Sequence, residues 1–176
     1  MDNLTTQLAL IGFMGSGKTT VGRLLAAELG YDFVDLDALI VAQSGLSIPA
    51  IFAREGEEGF RRREREALRS VAGRPRQVLA TGGGIVLDPA NVELLRATGL
   101  VVWLSASLAA VLSRVKEGRG RPLLAGKDPG AAAELFAARE ELYRRAAHFI
   151  VDTTGVAPDE VAREIAVWFR RRQREG

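Results

Sequence analysis

The 176-residue sequence contains no cysteine, a single histidine and no long uninterrupted apolar run. Without cysteine there is neither a disulfide nor a thiolate metal site, which fits a reducing compartment. No stretch approaches the eighteen or so apolar residues that cross a bilayer as one helix. The opening residues MDNLTTQ lack the basic region of a signal peptide, and the apolar LALIGFMG behind them is short and broken by glycine. A soluble cytoplasmic protein that contacts no membrane is therefore expected. Net charge is scarce as well: +2 is too little for a non-specific nucleic-acid binder, so no nucleic-acid partner is expected. Neither an internal repeat nor a long linker is visible. His148, at the start of the last expected strand, reads as a strand-edge residue and is assigned no role.

What is present is an ordinary globular balance, 47% hydrophobic and 26% charged. A chain of this length forms one domain and buries about two-thirds of its unfolded surface. Short apolar runs alternate with helical patterns, which predicts βαβ units and a parallel sheet. The expected strands are Leu8 to Phe13, Asp32 to Asp37, Gln77 to Gly82, Leu100 to Ser105 and Phe149 to Thr154. Their near-continuous apolar character suits strands covered on both faces. Val21, Leu24, Leu25 and Leu29 mark one face of a helix after the first strand, and Val161, Ile165, Trp168 and Phe169 mark another at the far end. That last helix opens with Pro158 and two acids and closes on a basic run, as the helix dipole favours. One glycine- and arginine-rich stretch, Lys116 to Ala131, has the composition of a segment that moves.

Chemistry enters with GFMGSGKTT, residues Gly12 to Thr20. Gly12, Gly17, Lys18 and Thr19 satisfy Gly-x4-Gly-Lys-[Ser/Thr], with a strand before and a helix after. Such a loop turns successive backbone N–H groups inward and points a helix N-terminus at a phosphate. Gly15, Ser16, Gly17, Lys18, Thr19 and Thr20 are the expected nucleotide-holding set, with Lys18 on the β- and γ-phosphates and the Thr19 hydroxyl on Mg2+. The motif announces a nucleoside triphosphate and is silent about the acceptor.

Four further stretches bear on the acceptor. In FVDLD, Asp35 and Asp37 are two apart, which on a strand places both on one face at its C-terminal end, where open α/β sheets bind ligands. One carboxylate could serve Mg2+ and the other an acceptor hydroxyl; helix capping would explain one of them, with Asp37 the expected cap. In EGEEGFRRREREALRS, the pairs Glu57–Arg61, Glu58–Arg62 and Arg62–Glu66 read mostly as a solvated ladder of weak ion pairs. Arg61 stands apart, because it follows Phe60 and is one turn from Glu64, an arrangement suited to a small acid with an apolar face. TGGG, Thr81 to Gly84, has more glycine than a plain turn needs and offers backbone donors to an anion or a hydroxyl. In SRVKEGRGRPLLAGK, Arg119 and Arg121 between glycines suit either an exposed basic loop or a lid that excludes water from a phosphoryl group.

In order, GFMGSGKTT, FVDLD, IFAREGEEGFRRRE, TGGG, RPLLAG and LYRR resemble the shikimate kinases, small P-loop kinases of the nucleoside monophosphate kinase-like group. The resemblance runs from about Leu8 to Thr154. It implies a three-layer α/β/α fold around a five-stranded parallel sheet, with a helical substrate-binding segment at about 36–66 and a lid at about 114–129. It implies transfer of the ATP γ-phosphoryl group to the 3-hydroxyl of shikimate, with Mg2+, in the pathway to the aromatic amino acids, by a monomer. Asp35 is then the Mg2+-associated carboxylate with Thr19, and Asp37 bonds the shikimate hydroxyls near the reacting one. Arg61 and Arg139 grip the carboxylate beside the N–H groups of Gly83 and Gly84, Phe52 and Phe60 wall the ring, and Glu64 braces Arg61. Arg121 is the lid arginine on the transferred group and the nucleotide; Lys18, Asp37 and Arg121 form the catalytic set. Arg114 is the candidate to stack on adenine, whose other contacts, at TTGVAP, lack a side-chain cation. Glu140 and Glu141 give Arg139 an acidic neighbourhood. A kinase for another small acid such as gluconate is the nearest alternative reading, and a nucleotide-dependent switch without a small acceptor is the alternative from another class.

Overall fold

The computed structural model describes residues 6–114 and 129–176. Five strands, β1 (Gln7–Ile11), β2 (Asp32–Asp35), β3 (Gln77–Ala80), β4 (Gly99–Ser105) and β5 (Phe149–Asp152), form one sheet in the order β2-β3-β1-β4-β5. All four pairings are parallel, and β1 sits at the centre with Leu10 opposite Ala80 on one side and Val102 on the other. Among the described residues the helices are α1 (Lys18–Leu29), α2 (Leu36–Ser44), α3 (Ile48–Val71), α4 (Pro89–Thr98), α5 (Leu108–Arg114), α6 (Pro129–Ala146) and α7 (Pro158–Glu175). No single one of them is long and apolar enough to cross a membrane.

The period-two alternation of β1 divides the core into two layers. Leu8 and Leu10 pack with Val21 and Leu25 of α1 and with Ile165 and Phe169 of α7. Ala9 and Ile11 point the other way, into a layer with Phe60 and Leu68 of α3, Leu95 of α4 and Tyr143 of α6. Each fully buried leucine contributes about 1.5–3 kcal/mol by leaving water, so both layers stabilise the sheet between them. The result is the three-layer α/β/α architecture with a five-stranded parallel sheet that the alternating pattern predicts.

Three local expectations are corrected. The second strand stops at Asp35 rather than running to Asp37, because the Asp35 side chain accepts the Ala38 N–H at 3.1 Å and starts α2. Asp35, not Asp37, is therefore the helix cap, and the two carboxylates do not share a strand face; Asp37 lies in the first turn of α2. The ion-pair ladder is also interrupted. Gly56 leaves the helical region (φ 69°, ψ −174°) and bends α3. Across the bend Glu55 takes Arg63 in a two-pronged contact of 2.6 and 2.8 Å and Arg62 at 3.7 Å, while Glu57–Arg61 remains as expected at 3.5 Å. The substrate-binding segment expected at 36–66 is α2 and most of α3. Of the expected lid, Arg119 and Arg121 lie outside the described residues.

Candidate functional site

Because every strand is parallel, the loops leaving β1, β2, β3 and β5 meet along one edge of the sheet. The loop after β1 opens at Gly12, whose φ of 152° and distance from β4 both demand glycine: a Cβ there would stand 2.6 Å from the Leu104 carbonyl oxygen. The loop closes at Gly17, the N-cap of α1, and no side chain caps the first amides of that helix. Lys18 is buried and its Nζ donates to the carbonyls of Gly12 and Phe13, at 2.6 and 2.9 Å. The ammonium is thus held inside the curl of the loop, at the helix N-terminus, where phosphate oxygens gain most from it.

Thr19 Oγ1 donates to Asp35 Oδ2 at 2.8 Å, which ties the first turn of α1 to the end of β2. A hydroxyl and a carboxylate are hard oxygen donors of the kind Mg2+ accepts. Among the described residues no cluster of three or more acidic, histidine or cysteine side chains could hold a metal by itself. Thr19 and Asp35 line a cavity of about 530 Å3 together with Lys18, Asp37, Gly83 and Arg114. The helical turn therefore brings Asp37 to the same cavity as Asp35, although not by the strand geometry expected.

The glycine triplet organises a second group of side chains. The Arg61 guanidinium turns its Nη1–Nη2 edge to Gly84, where a Cβ would meet both nitrogens at 2.4 Å. It is braced by Glu64, whose Oε1 accepts from Nη1 at 3.0 Å, and it covers the Phe60 ring at 5.2 Å. Phe60 in turn stacks on Phe52, with centroids 4.8 Å apart and planes at 26°. Phe60 is fully buried, so it supports Arg61 from beneath. Arg61 Nε and Glu64 Oε2 are buried and have no hydrogen-bond partner among the described residues. Burial pushes the Glu64 carboxyl above its ordinary range, opposed by the positive charges of Arg61 and Arg139.

On the neighbouring glycine, the carbonyl of Gly83 accepts from Arg139 Nη1 at 3.0 Å and from the Tyr143 hydroxyl at 2.5 Å. Arg139 and Tyr143 are four apart on α6 and so share a face. Of the two acids beside Arg139, Glu141 is exposed and pairs with Arg145 at 2.9 Å, while Glu140 is half-buried. Sequence reasoning gave Tyr143 no part in the site; its i,i+4 spacing from Arg139 was the available signal. Beyond the cradle, Arg114 donates to the carbonyls of Gly15 at 2.8 Å and Thr153 at 3.4 Å, joining the phosphate loop to the end of β5. Val156 and Pro158 line the cavity at that end without adding a cation.

A family model described as shikimate kinase matches residues 14–170. The shikimate kinase of Geobacter sulfurreducens is 52% identical over 167 residues, covering 94% of this chain and 92% of that protein. The shikimate kinase of Symbiobacterium thermophilum is 47% identical, covering 96% and 99%. A solved structure of shikimate kinase from Acinetobacter baumannii in complex with shikimate superposes with a TM-score of 0.90 at 39% identity, covering 97% of this chain and 96% of that one. The chain belongs to the shikimate kinase family.

Proposed function

We propose that the chain transfers the γ-phosphoryl group of ATP to the 3-hydroxyl of shikimate, giving shikimate 3-phosphate and ADP in the route to the aromatic amino acids. The observation that carries this reading is the meeting of two halves at one glycine triplet. Lys18, Thr19 and Asp35 serve phosphate, while Arg61 and Arg139 are fixed against Gly84 and Gly83. Two guanidiniums anchored on adjacent glycines suit a small carboxylate bound beside a phosphate site.

In the reaction the acceptor oxygen forms a bond to the γ-phosphorus as the bond from that phosphorus to the β,γ-bridging oxygen breaks, and ADP leaves. The transition state is loose, so placement and charge neutralisation outweigh proton abstraction. Lys18 neutralises charge on the phosphates. Asp37 accepts a hydrogen bond from the reacting hydroxyl and orients it, taking its proton only late. Thr19 and Asp35 would hold Mg2+, which would supply positive charge to the phosphates. Arg121, which lies outside the described residues, is assigned to the charge of the transferred group, and Arg114 to adenine. Gly83 and Gly84 offer backbone donors to the acid, Phe52 forms a ring wall with Phe60 behind it, and Gly15, Ser16, Gly17 and Thr20 complete the cradle. The chain works as one domain and a monomer in the cytoplasm.

The test is ADP release from Mg-ATP with shikimate, gluconate and AMP offered separately. Turnover with shikimate alone is expected. Turnover with gluconate alone would leave the cradle standing and overturn the acceptor assignment.

A further inference from the structure

Tyr143 is the largest fully buried side chain among the described residues, yet its polar end is not spent on the core. Its ring packs on Trp103 of β4, with centroids 5.8 Å apart, and its hydroxyl reaches out of that apolar layer to the Gly83 carbonyl. The same carbonyl takes Arg139 Nη1. Gly83 lies between the cradle and the acceptor half: a Cβ on it would sit 3.4 Å from the Met14 amide nitrogen, and its neighbour Gly84 carries Arg61. The orientation of the Gly83 carbonyl therefore decides two things at once. It sets which way the adjoining peptide N–H groups face, and it holds one edge of the Arg139 guanidinium.

We propose that Tyr143 is a positioning residue for the acceptor, acting through the Gly83 carbonyl to hold Arg139 and the glycine triplet in register. The proposal rests on the reading of this site as the shikimate site. Two donors on one carbonyl fix its direction in a way a single flexible arginine does not. A phenol on a ring clamped by Trp103 is the more rigid of the two. Burial pushes the phenol up to about 12, against the opposing charge of Arg139, so it remains a donor at any pH at which the fold exists. Through Gly83 the aromatic layer on one face of the sheet is coupled to the recognition of an acid at the sheet's loop edge.

Tyr143→Phe keeps the ring and removes the hydroxyl. The expected result is a five- to twentyfold rise in the KM for shikimate, with the KM for ATP changed less than twofold and the melting temperature little changed. In an Arg139→Lys background the same change should cost less than twofold, because the arginine it positions is gone. Trp103→Phe, which loosens the ring's packing and leaves the hydroxyl, should lower the melting temperature more than it moves the KM for shikimate. Equal shifts in both KM values, or a full effect of Tyr143→Phe in the Arg139→Lys background, would overturn the proposal. A second measurement needs no variant. The chain has two tyrosines, so wild-type protein labelled with 3-fluorotyrosine gives two fluorine signals. Saturating shikimate should move the Tyr143 signal and leave that of Tyr31, which packs on Phe169 in the other layer, in place. A stationary Tyr143 signal contradicts the coupling. Wild-type turnover of shikimate in parallel separates failure of this inference from failure of the acceptor assignment.

Discussion

The Arg61 guanidinium occupies the space that any side chain on Gly84 would need, with Nη1 and Nη2 both 2.4 Å from where a Cβ would stand. The contact is with the far end of a long side chain, so Gly84→Ala should fold. The guanidinium must move aside, and its bond to Glu64 and its place over Phe60 are disturbed with it. Loss of one charge-assisted contact is worth about 1.4 kcal/mol or more, so the KM for shikimate should rise about tenfold. The melting temperature should change little, which steady-state kinetics and thermal denaturation of the same preparation would check.

Gly59→Ala should behave in the opposite way. A Cβ at Gly59 would stand 2.2 Å from Glu55 Cβ, close to the backbone of the turn before it. That side chain cannot yield without shifting the bend at Gly56 and the Glu55–Arg63 contact across it. Overpacking of this kind costs about 1–3 kcal/mol, so denaturant titration should show a clear loss of stability. Phe60 and Arg61 follow directly in the chain, so affinity for the acid should fall as well.

Glu64 offers a pH test. Burial raises its pKa in the folded protein, while the charges of Arg61 and Arg139 pull it down less strongly and Asp88 adds to the rise. A group raised on folding contributes stability that is full below its unfolded pKa, near 4.3, and is lost as pH rises through the higher folded value. Wild-type stability should therefore carry a falling component just above pH 4.3 that Glu64→Gln lacks. At neutral pH the glutamine variant should be at least as stable as wild type. It should nonetheless bind shikimate more weakly, because a neutral amide orients Arg61 less firmly than a carboxylate does. Melting curves from pH 4 to 8 would show both the changed slope and its sign.

The roles proposed for Asp35 and Asp37 differ, and asparagine at each position separates them. Asparagine caps a helix as well as aspartate, so Asp35→Asn should keep its melting temperature. With the carboxylate beside Thr19 gone, the Mg2+ concentration for half-maximal rate should rise about tenfold. Asp37→Asn should cut turnover about 100-fold or more and leave ATP affinity nearly intact. Normal turnover in the second variant would remove Asp37 from the reacting hydroxyl.

Much of this was legible in the residues themselves. The alternation of apolar runs with helical faces determines the sheet and its two layers, because both faces of a parallel sheet must be buried. The cradle reads from Gly12 to Thr20 since each residue type is tied to one backbone or phosphate requirement. What was not legible depends on distance in space. The Asp35 side chain competes for the Ala38 N–H, and the strand yields two residues early. Gly56 breaks the helical register, so Glu55 reaches Arg63 eight residues on rather than a neighbour at i+4. Tyr143 finds Gly83 sixty residues away, which no local pattern announces.

The proposed function requires two arginines, seated on adjacent glycines, to read a carboxylate beside the phosphate site. The most direct measurement compares kcat/KM for shikimate with that for its alcohol, in which the carboxylate is reduced to a hydroxymethyl group, in wild type and in Arg139→Gln. Wild type should prefer the acid by about 100-fold, as expected for loss of a two-pronged charge-assisted contact, and Arg139→Gln should lose most of that preference by losing the acid rather than by gaining the alcohol. Equal efficiency on acid and alcohol in wild type, or a preference unchanged in Arg139→Gln, would contradict it.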